Sequence, residues 1–311
     1  MELKKRTMPK ELQIFNSLAP RLELTSRDKQ THHSIKKGYE GELMFDQILD
    51  NQLQREHLII KDLLLNYDSN TFQIDTLIIF PSIIEFFEVK NFEGEHHYDK
   101  KRDKFYKNTD FEIQNPEHQM SRAETLLRKL LNQHGYQVGL RGTVVFINPE
   151  FTLYNYTPDK PFVLPTQINP LMRKLNQIPS RKITNQHKSI GNKLLSLHEK
   201  DYPVKKVPEY TFRELKKGIN CYHCNSLSIS LRGHYCYCSE CGGKELVKSA
   251  VLRSVQDFKL LFQKEKVTKA KIHEWCGGMV TEQRIMRILA QNFQMFSKNR
   301  WAYYEPKTTS K

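Results

Sequence analysis

Long apolar runs are missing from this chain of 311 residues. A bilayer-spanning helix needs about 18 to 20 consecutive apolar residues, whereas the longest stretches here, such as Leu77-Ile78-Ile79-Phe80, have the length of a core strand. No apolar h-region follows the basic start Met1-Glu2-Leu3-Lys4-Lys5-Arg6, so the expectation is a cytoplasmic protein with no membrane partner, not a secreted one. Cysteine is nearly confined to one place: of the 6 present, only Cys276 lies outside the stretch from Cys221 to Cys241. In a reducing compartment that clustering argues for a metal and against a disulfide framework. No internal repeat of useful period is present, which excludes a solenoid or propeller. Acidic side chains are the scarcer charge, 35 Asp and Glu against 49 Lys and Arg, giving a net charge of +14 and a pI near 9.4. Such an excess favours a polyanionic partner through attraction and counterion release, and nucleic acid is the expected one. Hydrophobic residues at 38% and charged residues at 27% are still enough for small cores joined by solvated connections.

The pattern along the chain divides it into five segments. Residues 1–32 are polar and mixed, with an apolar turn from Leu12 to Leu18, and read as a lead-in helix or arm. From Gly38 to Leu53 the apolar residues Leu43, Met44, Phe45, Ile48 and Leu49 fall at helical spacing. His57 to Leu65, Thr71 to Phe80 and Ile83 to Lys90 are rich in β-branched and aromatic residues and read as strands. Pro116 opens a helix to about His134, as proline favours a first helical position, and Arg141 to Ile147 is a further strand. Helix, strands, helix, strand is an α/β domain over residues 33–150, a mixed sheet flanked by helices. Residues 151–217 read as a basic linker with helical pieces: residues 160–217 carry 13 Lys or Arg against 4 Asp or Glu. Residues 218–247 hold the cysteines, and residues 248–311 form a mostly helical unit.

In Glu88-Val89-Lys90, positions two apart share a strand face, so Glu88 and Lys90 project together while Val89 packs behind. A carboxylate beside an ammonium suits a divalent cation with a lysine that orients or helps deprotonate a water, or stabilises a charged phosphorane. A Glu-x-Lys pair on a solvated strand face is also common. Asp75 is an acid inside an apolar strand, and antiparallel pairing across a short turn would bring it to the Glu88 face; a strand-edge Asp paired with a lysine is the plainer reading. Two carboxylates plus waters suit octahedral Mg²⁺ or Mn²⁺. Glu42, in Gly38-Tyr39-Glu40-Gly41-Glu42, falls in the first turn of the expected helix, where an acid needs no function. Gln119, in Asn115-Pro116-Glu117-His118-Gln119, heads the stripe Ala123, Leu126, Leu130 and is placed to reach a lysine, a water, a phosphate or solvent.

Taken in order, Gly-x-x-Gly-Glu, Ile-Asp-x-Leu-Ile-Ile, Glu-Val-Lys-Asn and Asn-Pro-x-x-Gln resemble the NERD (nuclease-related domain) family of the PD-(D/E)xK nuclease-like superfamily, over roughly residues 33–150. The resemblance implies a restriction-endonuclease-like sheet. It also implies a metal held by Asp75 and Glu88, with the Val89 carbonyl as a third ligand, and Lys90 as catalytic lysine. Glu42 would sit near the metal and Gln119 would be an accessory polar group. The activity implied is metal-dependent phosphodiester hydrolysis, most simply of DNA. The alternatives are a non-catalytic nucleic-acid-binding protein on the same fold and, without support from the charge, a protein-interaction scaffold. The charged stretch from Asn91 to Lys107 is expected to form a hairpin that covers or extends the site, with His96 and His97 as loop residues rather than ligands.

Cys221-Tyr-His-Cys224 and Cys238-Ser-Glu-Cys241 are two C-x-x-C knuckles that can wrap a tetrahedral, structural Zn²⁺ and look like a zinc ribbon. Cys236, His223 and His234 are competing ligands. Tyr222, Tyr235, Tyr237 and Arg232 are suited to stacking on bases or to plain packing. In the last segment, helices over Lys269 to Trp275 and Thr281 to Phe293 around Gly277-Gly278, with a short β ending, resemble a winged helix-turn-helix. Gln283, Arg284 and Arg287 would then face the groove, with Lys298 and Arg300 at phosphates; a small helical interaction domain is the alternative. Cys276 is expected to be a small buried residue.

Overall fold

The computed structural model describes residues 1–108, 110–179, 181–200, 204, 207–297 and 302–307. The chain opens with strand β1 (Glu2–Lys4), helix α1 (Lys10–Leu18) and the long helix α2 (Ser26–Gln52). Strands β2 (Leu58–Tyr67), β3 (Asn70–Ile79) and β4 (Ile84–Lys90) follow, then β5 (Gly94–Asp99), β6 (Lys104–Lys107) and β7 (Phe111–Ile113). Helix α3 (Pro116–Gln133) leads to β8 (Leu140–Phe146), β9 (Phe151–Tyr154) and β10 (Phe162–Val163), and then to helices α4 (Ile168–Asn176) and α5 (Asn185–Ser196). The rest comprises β11 (Ile229–Arg232), β12 (Tyr235–Cys238), β13 (Lys244–Leu246), α6 (Val247–Leu261), α7 (Lys269–Trp275), α8 (Glu282–Asn292), β14 (Phe293–Phe296) and β15 (Tyr303–Pro306).

These elements form two compact units, one of Met1–Met8 with Ser34–Pro203 and one of Pro9–His33 with Val204–Lys311. The first is built on a mixed sheet in the order β1-β2-β3-β4-β8-β10. β2, β3 and β4 run antiparallel in sequence, and β8 lies parallel to β4. Alternation along β4 divides its side chains: Ile84 and Phe86 join the core shared with α3 and α5, whereas Phe87 and Val89 join the core shared with α2 and α4. A second sheet, β7-β6-β5-β9, closes over the first core through Tyr98, Phe105, Phe151 and Leu153.

Several expectations are revised here. Helix α2 starts at Ser26 rather than near Gly38, because Thr25 and Asp28 form a reciprocal cap: Asp28 N–H donates to Thr25 Oγ1 at 3.1 Å, and Thr25 N–H to Asp28 Oδ2 at 3.3 Å. The basic stretch after residue 150 is largely built into the first unit. Ile190 and Leu194 of α5, four apart, enter one core, and Ile168, Met172 and Leu175 of α4 enter the other. The expected hairpin is β5–β6, but His96 and His97 are strand residues in it, not loop residues. His96 is buried, stacked on Phe92 and tilted against Phe151, and burial holds its pKa below the usual value.

In the second unit, Ile14 and Leu18 of α1 pack into a core with α6, α7 and α8 that includes Trp275 and Cys276. Arg21 is buried over the Trp275 ring at 4.0 Å and donates to the Lys216 and Gly218 carbonyls. Burial pushes the Cys276 thiol up to about 12, which makes it an inert core residue.

Candidate active site and cysteine centre

The β3–β4 ladder ends at the pair Thr76 and Phe87. One residue on, Asp75 Oδ2 accepts the Val89 N–H at 2.8 Å instead of a backbone carbonyl taking it. Strand alternation then places Glu88 and Lys90 on the Ile84 and Phe86 side, where the head of α3 arrives. Lys90 Nζ donates to Glu88 Oε1 at 2.6 Å and to Gln119 Oε1 at 3.1 Å. Gln119 is set by the start of its helix: Asn115 caps it by accepting the Glu117 N–H at 3.0 Å, and Pro116 occupies the first turn.

Glu42 stands in the interior of α2, not in a first helical turn. Its approach depends on Gly41, where a Cβ would come within 2.5 Å of Asn91 Cβ and 3.1 Å of Ile147 Cγ2. Asn91 braces that approach, donating to the Lys37 carbonyl at 2.7 Å while its Oδ1 accepts from Asn148 at 3.0 Å.

Sequence reasoning missed Arg6 and Asp46. Arg6 is 2% exposed; it donates to Glu42 Oε2 at 2.5 Å, to Asp46 through Nε at 2.8 Å and Nη2 at 3.1 Å, and to the Asp75 carbonyl at 2.8 Å. A basic run near a terminus carries no local signal that ties it to residues 36 and 40 positions away. What brings Arg6 there is the parallel pairing of β1 with β2. Breaking such a buried pair from one side leaves carboxylates without their cation, which costs about 3–5 kcal/mol. Arg6→Ala is therefore expected to lower the urea unfolding free energy by several kcal/mol; a loss under about 1 kcal/mol, the level of a surface pair, would contradict the clamp.

The electrostatics are those of crowded, buried acid. Burial, then the nearby Asp75, pushes Glu88 up to about 8, against the pull of Lys90. Burial and Asp75 likewise push Glu42 up to about 8, against Arg6. Asp75 is raised mainly by burial, with Lys90 and the Val89 N–H opposing. For Lys90, burial disfavours the charge, but Glu88 and Asp75 outweigh it and the pKa is raised, so it is an ammonium at neutral pH. Among the described residues, the only three or more such ligands gathered within 4.8 Å of one another are the cysteines of the second unit; Glu88 and Asp75 are turned to Lys90 and the Val89 N–H.

Those cysteines are Cys221, Cys224, Cys238 and Cys241. Their sulfurs lie 3.6 Å apart for Cys221 and Cys241 and 3.5 Å for Cys224 and Cys238. That is too long for a disulfide, at about 2.05 Å, and close to the edge of about 3.8 Å in a tetrahedron of thiolates around zinc. The His223 N–H donates to Cys221 Sγ at 3.4 Å, and Gly242 adopts φ +71° to close the second knuckle. The arrangement is consistent with a small zinc ribbon. Cys236 is directed away into the core, and His223 and His234 are exposed and outside the cluster.

In α8, Arg287 and Gln283 are exposed, while Arg284 donates to the Gly233 carbonyl at 2.8 Å in the turn between β11 and β12. Lys298 and Arg300 lie outside the described residues. The helices α7 and α8 are followed by the antiparallel pair β14–β15.

No curated protein matches the chain, and no solved structure does. Residues 37–147, the stretch that contains Glu42, Asp75, Glu88, Lys90 and Gln119, match the family model of the nuclease-related domain, NERD.

Proposed function

We propose that this protein is a metal-dependent nuclease that hydrolyses phosphodiester bonds in DNA, with Asp75 and Glu88 holding Mg²⁺ or Mn²⁺ and with Zn²⁺ as a structural ion on the four cysteines. The observation that carries it is the placement of Lys90 between Glu88 and Gln119, beside an Asp75 carboxylate on β3 that accepts the Val89 N–H of β4. The donor set suits a hard divalent ion: oxygen donors raised in pKa mainly by burial, and for Glu88 also by the nearby Asp75, gain most from a cation. When bound, the ion supplies an activated water and neutralises phosphate charge. The chain's own part is positional. The Lys90 ammonium orients the attacking water and stabilises negative charge on the phosphorane, Gln119 holds that ammonium in place, and the Arg6 clamp ties Glu42 to the Asp75–Thr76 stretch of β3. Exposed Arg287, together with Arg284, is proposed to face the DNA groove in a winged-helix manner, with Lys298 and Arg300 at phosphates.

The test is cleavage of linear, circular and single-stranded DNA with added Mg²⁺ or Mn²⁺, run beside metal titration of Asp75→Ala. Loss of both metal binding and cleavage in the variant supports the proposal. Zinc-replete wild type that binds DNA and the ion but leaves every substrate intact would point to the non-catalytic binding protein.

A pH dependence follows for the metal-free protein. Glu88 has a folded pKa of about 8 against an ordinary value of 4.5. The folded state therefore holds the proton more tightly, so this stability is full below the ordinary value and is lost as pH rises through about 8. The thermal midpoint is expected to fall between about pH 6 and pH 9, less so in Glu88→Gln, with Mg²⁺ protecting most at the high end. A midpoint that falls equally in both proteins would show that Glu88 is not the titrating group.

A further inference from the structure

The sheet of the cysteine module has two chemically opposite faces. One is turned to the unit's core: Ile229 and Leu231 pack against it, Cys236 is buried in it, and Glu245 pairs with Arg253 at 2.7 Å. The other is exposed. On it the register sets Arg232 opposite Tyr235, and Ser230 and Lys244 on either side of Tyr237. The cations and rings interleave. Lys244 Nζ lies 4.1 Å from the Tyr235 centroid and 5.7 Å from that of Tyr237, and the Arg232 guanidinium lies 5.7 Å from Tyr237. The two rings are 6.4 Å apart, and Tyr235 is 38% exposed. With Ser230 and Leu246, which the alternation puts on the same side, the face holds no acid.

We infer that this face is a stacking platform for single-stranded nucleic acid. Tyrosines kept only for packing would turn toward the core side, where Ile229, Leu231 and Cys236 already lie. An exposed Tyr235 ring and a half-buried Tyr237 ring flanked by cations match what a single strand offers, π-faces of unpaired bases and a phosphate on each nucleotide. A duplex hides those π-faces inside its own stack, so it gains from Arg232 and Lys244 but not from the rings. The existing cation–ring contacts are exposed and each contributes only about 0.5–1 kcal/mol, little enough for a base to share the ring. The unit's excess of basic residues and the chain's net charge of +14 supply the long-range attraction. The platform does not depend on hydrolysis at Lys90.

The test uses the full chain with zinc bound and no added Mg²⁺ or Mn²⁺, and reads the anisotropy of a labelled oligothymidylate of about 16 nucleotides beside a duplex of equal length. Tyr235→Ala/Tyr237→Ala is expected to weaken single-strand binding by about tenfold or more, at roughly one ring per base, and duplex binding by less than about twofold. Tyr235→Phe/Tyr237→Phe should bind like wild type, since it keeps the rings. Tyr235→Ala alone replaces an exposed ring and keeps the comparison open if the double variant loses zinc. Unchanged single-strand affinity in zinc-replete alanine variants, or equal weakening for single strand and duplex, would overturn the platform. Because no cleavage is measured, its failure leaves the nuclease proposal where it stood, and a failed cleavage assay leaves the platform intact.

Discussion

Lys90→Ala is expected to lower DNA cleavage by about 10²–10⁴-fold, mostly in kcat. The lysine is the cation that faces both Glu88 and Asp75. It stays an ammonium because those acids outweigh its burial, so the contribution proposed for it is charge held in place rather than proton removal. Such charge stabilises the phosphorane more than the bound substrate, which is why KM should move little. A second consequence adds to the first. Without Lys90, Glu88 loses its 2.6 Å partner and the main pull against its raised pKa. It would be more fully protonated at neutral pH, and Mg²⁺ affinity should fall as well, recovering as pH rises. Single-turnover cleavage at saturating Mg²⁺, compared at neutral and alkaline pH, separates the two effects. A Lys90→Ala protein that cleaves at the wild-type rate would remove Lys90 from the chemistry.

Removal of zinc is expected to unfold the cysteine module and to leave the first unit folded. The module's sheet is only three strands, and one face of it is exposed, so little apolar surface is buried to hold it. Structural zinc in such small modules contributes about 10–16 kcal/mol of apparent binding free energy that is also folding free energy. All 6 cysteines lie at or beyond Cys221, outside the residues of the first unit. A strong chelator, or Cys221→Ser/Cys238→Ser, should therefore open residues 221–246 to protease while residues 34–200 keep their resistance. Metal analysis should return one zinc per chain before treatment. A protein that keeps the module protected with no zinc, or with both cysteines replaced, would show that the metal is dispensable.

The grouping of Asp75, Glu88 and Lys90 at the candidate site was legible in the sequence because adjacent antiparallel strands bring them together. Asp75 and Glu88 sit on strands joined by only four residues, Phe80 to Ile83, and antiparallel pairing across so short a connection leaves few registers. Gln119 was legible through Asn115 and Pro116, which start α3 at a definite residue. Helix α2 was only half legible. Its C-terminal part carries Phe45 and Leu49 at helical spacing, but the part from Ser26 to Lys37 has few apolar residues to reveal a period. The Thr25–Asp28 cap was the available signal. His96 resembled a loop residue because its neighbours Glu95, Lys100 and Lys101 are charged, whereas its burial comes from Phe92 and from Phe151, a residue of another strand. The helices α4 and α5 resembled linker because lysine and arginine dilute stripes of only two or three apolar residues.

By itself, the sequence determined the local matters: strand and helix types, the turn between β3 and β4, the start of α3 at Asn115 and Pro116, and the cysteine knuckles. All follow from spacing and from residues close in the chain. Only the tertiary structure decided that Arg6 reaches Glu42, Asp46 and the Asp75 carbonyl, and that the segment after residue 150 completes the first core. It also decided that Tyr235 and Tyr237 face outward among cations. Each of these depends on which distant surfaces pack together, and the energy of burying them depends on partners that no local pattern specifies.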